Sequence, residues 1–219
     1  MADIGADLVK QLREKTGAPL MECKKALQEA RGDLAEAEVV LRKRGVASAA
    51  KKAGRTAGEG SVGSYIHAGG KIGVLVEVNC ESDFVARTPD FQHLVHDLAM
   101  HIAAADPRYI RREEVPAEVL ERERDIARAR AGAKPPNVID RIVEGQLIKY
   151  YEEYCLLDQH FIKEPNLSVS QLIAGRIAKM GENIVVRRFS RFKVGEHAAG
   201  APAEPAAEGA VKQKKQEKC

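Results

Sequence analysis

In this chain of 219 residues, the side chains best suited to act on another molecule are Asp83 and Phe84, an acid directly followed by an aromatic. They fall in a short predicted connection, between a strand that ends at Cys80 and a helix that begins at Thr88. Connections braced by two regular elements often carry binding residues. An exposed aromatic there could enter a partner protein and pry its elements apart, because aromatic anchors dominate binding energy at interfaces. The alternative is that Phe84 fills the hydrophobic core.

The elements on either side of this pair are well marked in the sequence. Residues 71–80 alternate, and every second side chain is apolar or a thiol: Ile72, Val74, Val76, Val78 and Cys80. Thr88-Pro89-Asp90 then predicts a helix start, since it combines a cap-type residue, a proline suited to the first turn and an acid that complements the helix dipole. The helix that follows has a broad apolar face.

The N-terminal residues 1–45 are predicted to form a three-helix bundle domain. Apolar residues recur at helical spacing in three groups, and Gly17, Pro19 and Gly32-Asp33 supply the breaks between them. A connector over 46–59 follows. It lies largely within a basic run over 42–55, which holds six lysines or arginines and no acid.

Residues 60–195 are predicted to form the core domain. Strands at 62–66 and 71–80 flank a glycine turn and form an antiparallel hairpin, and a third, basic strand is predicted over 184–194. Helical patterns fill the chain between them, including a capping box at Ser168-Val-Ser-Gln171. The predicted fold class is therefore α+β, with an N-terminal three-helix bundle followed by a small antiparallel sheet packed with helices. Residues 196–219 are predicted to be a disordered tail.

Composition limits the possible functions. The net charge of +3 does not indicate a general polyanion binder, and the absence of Trp argues against a nucleic-acid surface built on stacked aromatics. The cysteines form no CxxC pair, so we expect free thiols in a reducing compartment. The N-terminus does not resemble a signal peptide, and no apolar run approaches the roughly 20 residues of a membrane-spanning helix. We expect a soluble, cytoplasmic protein.

No pattern typical of catalysis, cofactor binding or metal binding occurs in the sequence. There is no nucleophile motif, and Gly69-Gly70 is too short to cradle a phosphate. His93, His96 and His101 lack the spacing of a ligand pair, so we expect them to be surface or partly packed residues. The protein is not expected to be an enzyme, to need a cofactor or to bind nucleotide itself.

Several motifs, in order along the chain, resemble those of bacterial elongation factor Ts. Cys80-Glu-Ser-Asp-Phe-Val-Ala86 is similar to the family's Thr-Asp-Phe-Val motif, with Ser82 in place of the usual Thr. The likeness covers residues 2 to about 196, and its other motifs are Thr16–Leu27, Gly63–His67 with Gly73–Glu77, Asp158–Pro165 and Arg188–Glu196. Two departures are Pro19, where Gly is common, and Leu20, where Met is common.

The resemblance implies a guanine nucleotide exchange factor for the GTPase elongation factor Tu in translation elongation. The family's pattern assigns displacement of the GTPase's Mg²⁺ to one loop, with Phe84 as the wedge and Asp83 beside the ion; here that loop is Ser82, Asp83, Phe84 and Val85. Further partner contacts are carried over to Met21, Lys24 and His67. On residues alone, Met21 could equally pack in its helix, Lys24 could be an ordinary surface charge, and His67 could sit in water at a hairpin tip.

The resemblance also bears on assembly. The N-terminal helices are similar to the family's ubiquitin-associated-type domain, and the chain has room for one compact core, as in the family's short form. Short members act as homodimers, so a homodimer is expected here. A three-stranded sheet with two exposed edges independently favours pairing with a second copy.

Two other function classes stay open. An RNA-associated protein would use the basic run over 42–55 and the basic final strand, although charged surfaces of this kind also keep proteins soluble. An interaction scaffold would use the helical bundle to bind a partner without any effect on nucleotide release. We expect no required nucleic acid and no membrane.

Overall fold

The computed structural model describes residues 4–132 and 134–196 and confirms the α+β fold class. The predicted tail lies almost entirely outside the described residues, as does Cys219. The other three cysteines, Cys23, Cys80 and Cys155, are free and buried, as predicted.

Three helices form the N-terminal bundle: α1 (Ala6–Thr16), α2 (Leu20–Glu29) and α3 (Leu34–Lys52). Gly17 ends α1 in the left-handed conformation, and the Asp33 side chain caps α3 by accepting from Glu36 N at 2.9 Å. The helices bury a shared core of Leu12, Cys23, Ala26, Leu27 and Ala37. The breaks foreseen in the sequence are therefore the ones that shape this bundle.

The predicted connector over 46–59 differs from the structure, because α3 continues unbroken to Lys52. This second half of α3 packs against helix α8 (Val169–Met180) of the core. Gly45 sits at the crossing, where a Cβ would lie 3.7 Å from Ala174 O. Contact with the core explains why a segment of small and basic residues stays helical.

The core domain is built on a three-stranded antiparallel sheet of β1 (Glu59–Ile66), β2 (Ile72–Cys80) and β5 (Val185–Lys193). The strand order is β1-β2-β5, so β2 is central. The predicted alternation of β2 is confirmed, with one face buried against helix α5 (Pro89–Ala105). The hydrophobic core between β2 and α5 contains Val74, Val76, Val78, Cys80, Phe91, Leu94, Leu98 and Ile102.

The other face of the sheet is left open to solvent. The register places Ile66, Gly73 and Phe192 in one cross-strand row and Ser64, Leu75 and Ser190 in the next. Several large apolar side chains on this face are at least half exposed: Val62, Ile66, Leu75, Phe192 and, just beyond β5, Val194. We call this set the open sheet face.

Two further substructures complete the core domain. Helices α6 (Ala117–Ala131) and α7 (Pro136–Tyr154) pack on each other as a helical hairpin, with Tyr150 buried near its base. A short hairpin of β3 (His160–Phe161) and β4 (Glu164–Ser168), which the sequence patterns did not predict, leads into α8. The capping box predicted at Ser168 and Gln171 is present at the start of α8.

The expectation that His101 is a surface or partly packed residue is wrong, because it is fully buried between α5 and the β3–β4 hairpin. Gln159 donates its amide protons to the backbone oxygens of Glu153 and Ala105, so its Oε1 faces His101 Nε2 at 3.0 Å and accepts from it. Nδ1 in turn accepts from Ile162 N at 3.4 Å. These contacts select the neutral imidazole, and burial lowers the pKa of His101.

Acid should destabilise the fold through His101. The unfolded chain takes up a proton at this residue near pH 6.5, whereas the folded state resists protonation, so the free energy of unfolding should fall as the pH drops below about 6.5. Urea unfolding between pH 5 and 8 should show a shallower pH dependence in His101→Gln than in wild type. Equal slopes for the two proteins would contradict this assignment.

Gly63 of β1 is predicted to be required for packing. A Cβ there would overlap Val95 Cγ1 of α5, a short and stiff side chain that has little room to move. Gly63→Ala should therefore lower the free energy of unfolding by about 1–3 kcal/mol in urea titration. Gly145→Ala in α7 is the control, since nothing lies within 4 Å of its Cβ position; it should stabilise the protein by about 0.5–1 kcal/mol. Equal effects at the two positions would show that the contact with Val95 is unimportant.

Candidate functional site

Asp83 and Phe84 lie on a one-turn helix, α4 (Asp83–Ala86), where the sequence predicted only a short connection. Ser82 is its N-cap, and its Oγ accepts from Val85 N at 3.4 Å. Val85 and Ala86 are buried in the core, whereas Phe84 is 77 % exposed. The hypothesis that Phe84 fills the core is therefore wrong, since Val85 takes that place.

The C-terminal end of α4 is fixed to the start of α5. Thr88 Oγ1 donates to Val85 O at 2.8 Å and accepts from Phe91 N at 3.3 Å, so one hydroxyl closes α4 and caps α5. Gln92 Nε2 donates to Ala86 O at 2.7 Å. A four-residue helix would not be stable alone, but here its last carbonyls have side-chain partners.

The carboxylate of Asp83 points to its own helix neighbour. Asp83 Oδ2 lies 2.5 Å from Arg87 Nη2, and both side chains are more than half exposed. An exposed pair at this spacing contributes only about 0.3–0.5 kcal/mol. The carboxylate is therefore oriented in the free protein, yet a partner can draw it away at little cost.

The N-terminal end of α4 is held by Glu182, a residue that the sequence patterns did not single out. Glu182 lies in the turn between α8 and β5 and accepts three hydrogen bonds. Its Oε2 accepts from Glu81 N at 3.1 Å and Ser82 N at 3.0 Å, and its Oε1 accepts from Ser82 Oγ at 2.6 Å. No local pattern could have pointed to it, because about a hundred residues separate the two turns.

A second carboxylate links the same turns in the opposite direction. Glu81 Oε1 accepts from Asn183 N at 2.6 Å and lies 3.5 Å from Arg55 Nη1. Asn183 is itself buried, and its amide donates to Arg55 O at 2.8 Å. The end of the connector, the turn before α4 and the turn after α8 thus meet at one junction.

Met21 and Lys24 lie on the exposed side of α2, opposite its buried Cys23, Ala26 and Leu27. Met21 is 60 % exposed, so it is not the packing residue that the sequence allowed as an alternative. The turn before α2 also approaches the core. A Cβ on Gly17 would lie 3.2 Å from Lys179 Nζ, and Lys179 pairs with Asp90 of α5 at 2.8 Å.

Lys179 therefore connects the two regions that carry candidate site residues, the start of α2 and the segment after α4. It lies near the end of α8 and touches both the turn that leads into α2 and the first turn of α5, which directly follows α4. The ammonium group of Lys179 lowers the pKa of Asp90, so this ion pair persists at neutral pH. The start of α2 and the α4 helix consequently flank the same end of α8.

His67 is not brought together with the other candidate residues. It is exposed at the turn between β1 and β2, where its Nδ1 lies 3.2 Å from Tyr65 Oη. The strand β2 runs from this turn to Cys80, and nine residues of strand span roughly 26 Å. His67 and α4 therefore lie at opposite ends of the sheet.

Comparison with known proteins agrees with the motifs. The family model for elongation factor Ts matches residues 45–196. The chain is 65% identical over 198 residues to elongation factor Ts of Solibacter usitatus, an alignment that covers 90% of this chain and 93% of that protein. It is 64% identical to that of Koribacter versatilis (89% and 90% covered) and 61% identical to that of Geobacter sulfurreducens (88% and 90% covered). The chain belongs to the elongation factor Ts family.

The match to the elongation factor Ts family includes the α4 region of the candidate site. The family model spans α4, both turns of the junction and the whole sheet. The alignments with relatives, at 195 residues or more, are longer than the stretch after residue 45 and so extend into the N-terminal bundle.

Within residues 4–132 and 134–196, no helix has the length and apolar character to cross a bilayer, and no group of three or more potential metal ligands occurs. Burial raises the pKa of the Cys80 thiol, which disfavours a nucleophilic thiolate beside α4. In the basic run, Arg44 pairs with Glu22 and Glu29, which reduces the charge available to a phosphate backbone.

Proposed function

We propose that this protein is the guanine nucleotide exchange factor for elongation factor Tu in translation elongation. It binds the GDP-bound GTPase, displaces Mg²⁺ and promotes GDP release so that GTP can bind. Membership of the elongation factor Ts family supports this proposal, and so does one structural observation: Phe84 is 77 % exposed on a helix whose two ends are both tied down. The proposed function places the protein in the cytoplasm.

Exchange follows from thermodynamic linkage. A factor that binds the nucleotide-free GTPase more tightly than the loaded one must weaken nucleotide binding by the same ratio. Such a factor needs contacts that compete with the arrangement around Mg²⁺ and the phosphates, but it needs no covalent chemistry. The proposal therefore includes no catalytic residue, cofactor or nucleotide site of its own.

Phe84 is proposed to act as the wedge that enters the GTPase. The backbone around it is already ordered by Ser82, Thr88 and Gln92, so little conformational freedom is lost when the ring is buried. Burial of a Phe side chain contributes about 1.5–3 kcal/mol. That gain is available only to the GTPase conformation that opens to admit the ring.

Asp83 is proposed to act on the ion rather than on the protein surface. Its carboxylate is held by Arg87 in the free state, through a pair that is easily exchanged for another partner. Placed near the Mg²⁺ site, a carboxylate would disturb the groups that hold the ion. Loss of the ion removes the largest local positive charge from the phosphates and lowers their affinity.

Met21 and Lys24 are proposed to form the second contact with the GTPase, and His67 a third. The exposed face of α2 presents an apolar side chain and a cation at adjacent positions, and Leu20 adds further apolar area. Since α2 and α4 flank the same end of α8, one partner surface can meet both. His67 would reach a separate part of the partner from the far end of the sheet.

Replacement of Phe84 tests this function directly. In release of fluorescent GDP from elongation factor Tu, wild-type protein should accelerate release, and Phe84→Ala should lose about 30-fold or more, because a buried aromatic anchor is worth about 2 kcal/mol or more. The fold should be unaffected, since Phe84 is exposed.

Ile162→Ala provides the matched control, because Ile162 is also an exposed large apolar residue but lies in the β3–β4 hairpin. It should retain wild-type exchange. No acceleration by the wild type would overturn the function, and full activity of Phe84→Ala would overturn the wedge.

We also propose that the protein is a homodimer and that the open sheet face is its interface. A monomer seldom leaves a contiguous row of large apolar side chains in water. Ile66 and Phe192 flank Gly73 across the three strands, and Leu75 lies in the adjacent row. Two such faces packed together would bury these side chains as in a sheet sandwich.

A charge on this face should separate the subunits. Phe192 is 68 % exposed, so Phe192→Glu should fold but bury an unpaired carboxylate in any sheet-to-sheet dimer. Sedimentation equilibrium should give a dimer for wild type and a monomer for the variant. Ile148→Glu, at an exposed position of α7, should remain dimeric. A wild-type monomer, or a Phe192→Glu dimer, would contradict the proposed interface.

A further inference from the structure

We propose that Glu182 is a positioning residue for exchange, which sets the direction of Phe84 through Ser82 without contacting the GTPase. This inference rests on the proposed function and adds to it a residue outside the Ser82–Val85 motif. The contacts that carry it run from the turn after α8, through one hydroxyl group, to the exposed ring.

The hydroxyl of Ser82 makes two hydrogen bonds with different roles. Its proton is donated to Glu182 Oε1 at 2.6 Å, and its oxygen accepts from Val85 N at 3.4 Å. Glu182 therefore fixes the direction of the hydroxyl proton and leaves a lone pair of the Ser82 oxygen free to accept from Val85 N. Without this acceptor the hydroxyl can rotate, and the cap that starts α4 loses its fixed geometry.

The backbone before α4 is bound by the same carboxylate. The N–H groups of Glu81 and Ser82 both point at Glu182 Oε2, at 3.1 and 3.0 Å. Bonds to an ionised acceptor are stronger than those between neutral groups. Together with the hydroxyl, they fix the entry of the chain into α4 at three points on one carboxylate.

Glu182 is itself held in place by the turn on which it lies. Gly181 ends α8 with φ of 80°, a conformation that glycine adopts without strain, and the chain then turns toward β2. Asn183 is 3 % exposed and donates to both Glu81 Oε1 and Arg55 O. The turn that carries Glu182 is thus held by its neighbour, and the end of the connector is held with it.

The contacts therefore attach α4 and the α2 face to the same end of α8. The junction fixes α4 to the end of α8, and Lys179 on the last turns of α8 contacts both Asp90 and the turn before α2. If the direction of the Phe84 ring were not fixed, the protein could still dock through α2, but the ring would seldom meet the GTPase in the productive orientation. Misplacement of about 1 Å is enough to lower such rates strongly.

The test is the concentration dependence of GDP release from elongation factor Tu with Glu182→Ala. The maximal release rate should fall about tenfold or more, the scale of a lost set of charge-assisted bonds. The concentration for half-maximal effect should change about twofold or less, because a uniform binding contact is not removed. Glu182→Gln should recover part of the rate, since its amide oxygen still accepts from the two N–H groups.

Double-mutant cycles separate positioning from a general structural role. In a Phe84→Ala background the residual stimulation should be insensitive to Glu182→Ala, because there is no ring left to direct. In a Lys24→Ala background the two losses should multiply. Losses that multiply in both backgrounds would show that Glu182 does not act through Phe84.

Two controls complete the experiment. Asp97→Ala removes a carboxylate that also joins distant segments, through Lys163 at 2.6 Å, but not at α4, and it should retain the wild-type rate. Amide hydrogen exchange of the free protein should show faster exchange at residues 81–86 in Glu182→Ala, with the rest unchanged. A wild-type rate for Glu182→Ala would overturn this role while leaving the exchange function intact, whereas an inactive wild type would overturn both.

Discussion

The site depends on a constraint of geometry: a single helical turn can bury only one of its sides. In α4 the buried side belongs to Val85 and Ala86, which pack into the core beneath the sheet. Once these two are inside, Phe84 must face solvent, whatever its own preference for burial. An exposed Phe is unfavourable in isolation, so it is the packing of Val85 that presents the ring.

This arrangement explains why the neighbouring polar residues are bonded so fully. A helix of four residues makes too few internal hydrogen bonds to persist by itself. The Ser82 hydroxyl accepts from Val85 N, and Glu182 accepts from the N–H groups of the two residues before the helix, while Thr88 and Gln92 donate to its last carbonyls. The exposed ring is thus mounted on a rigid support, which lowers the entropic cost of binding.

Local patterns in the sequence predicted the elements around the site but not the contacts that fix it. Alternation in β2 and the caps at Thr88 and Ser168 depend on neighbours in sequence, and the structure confirms them. Glu182 could not be foreseen, since its partners lie about a hundred residues away. The burial of His101 could have been predicted, because this residue falls on the apolar stripe of α5 with Leu94 and Leu98. Its polarity favoured a surface position, but Gln159 supplies a hydrogen-bond partner inside the core and so allows the imidazole to be buried.

The departures from the family pattern can be judged by the same contacts. Ser82 stands where Thr is usual, yet both of its side-chain bonds are made by the hydroxyl oxygen and its proton, which Ser and Thr share. Pro19 needs no N–H of its own, because it precedes α2 and only its carbonyl is used, by Glu22 N and Cys23 N. Leu20 is half exposed beside Met21, so it retains the apolar character of the α2 face. Each replacement thus preserves the atom or surface that the fold and the proposed contacts require, and the support of Phe84 remains complete.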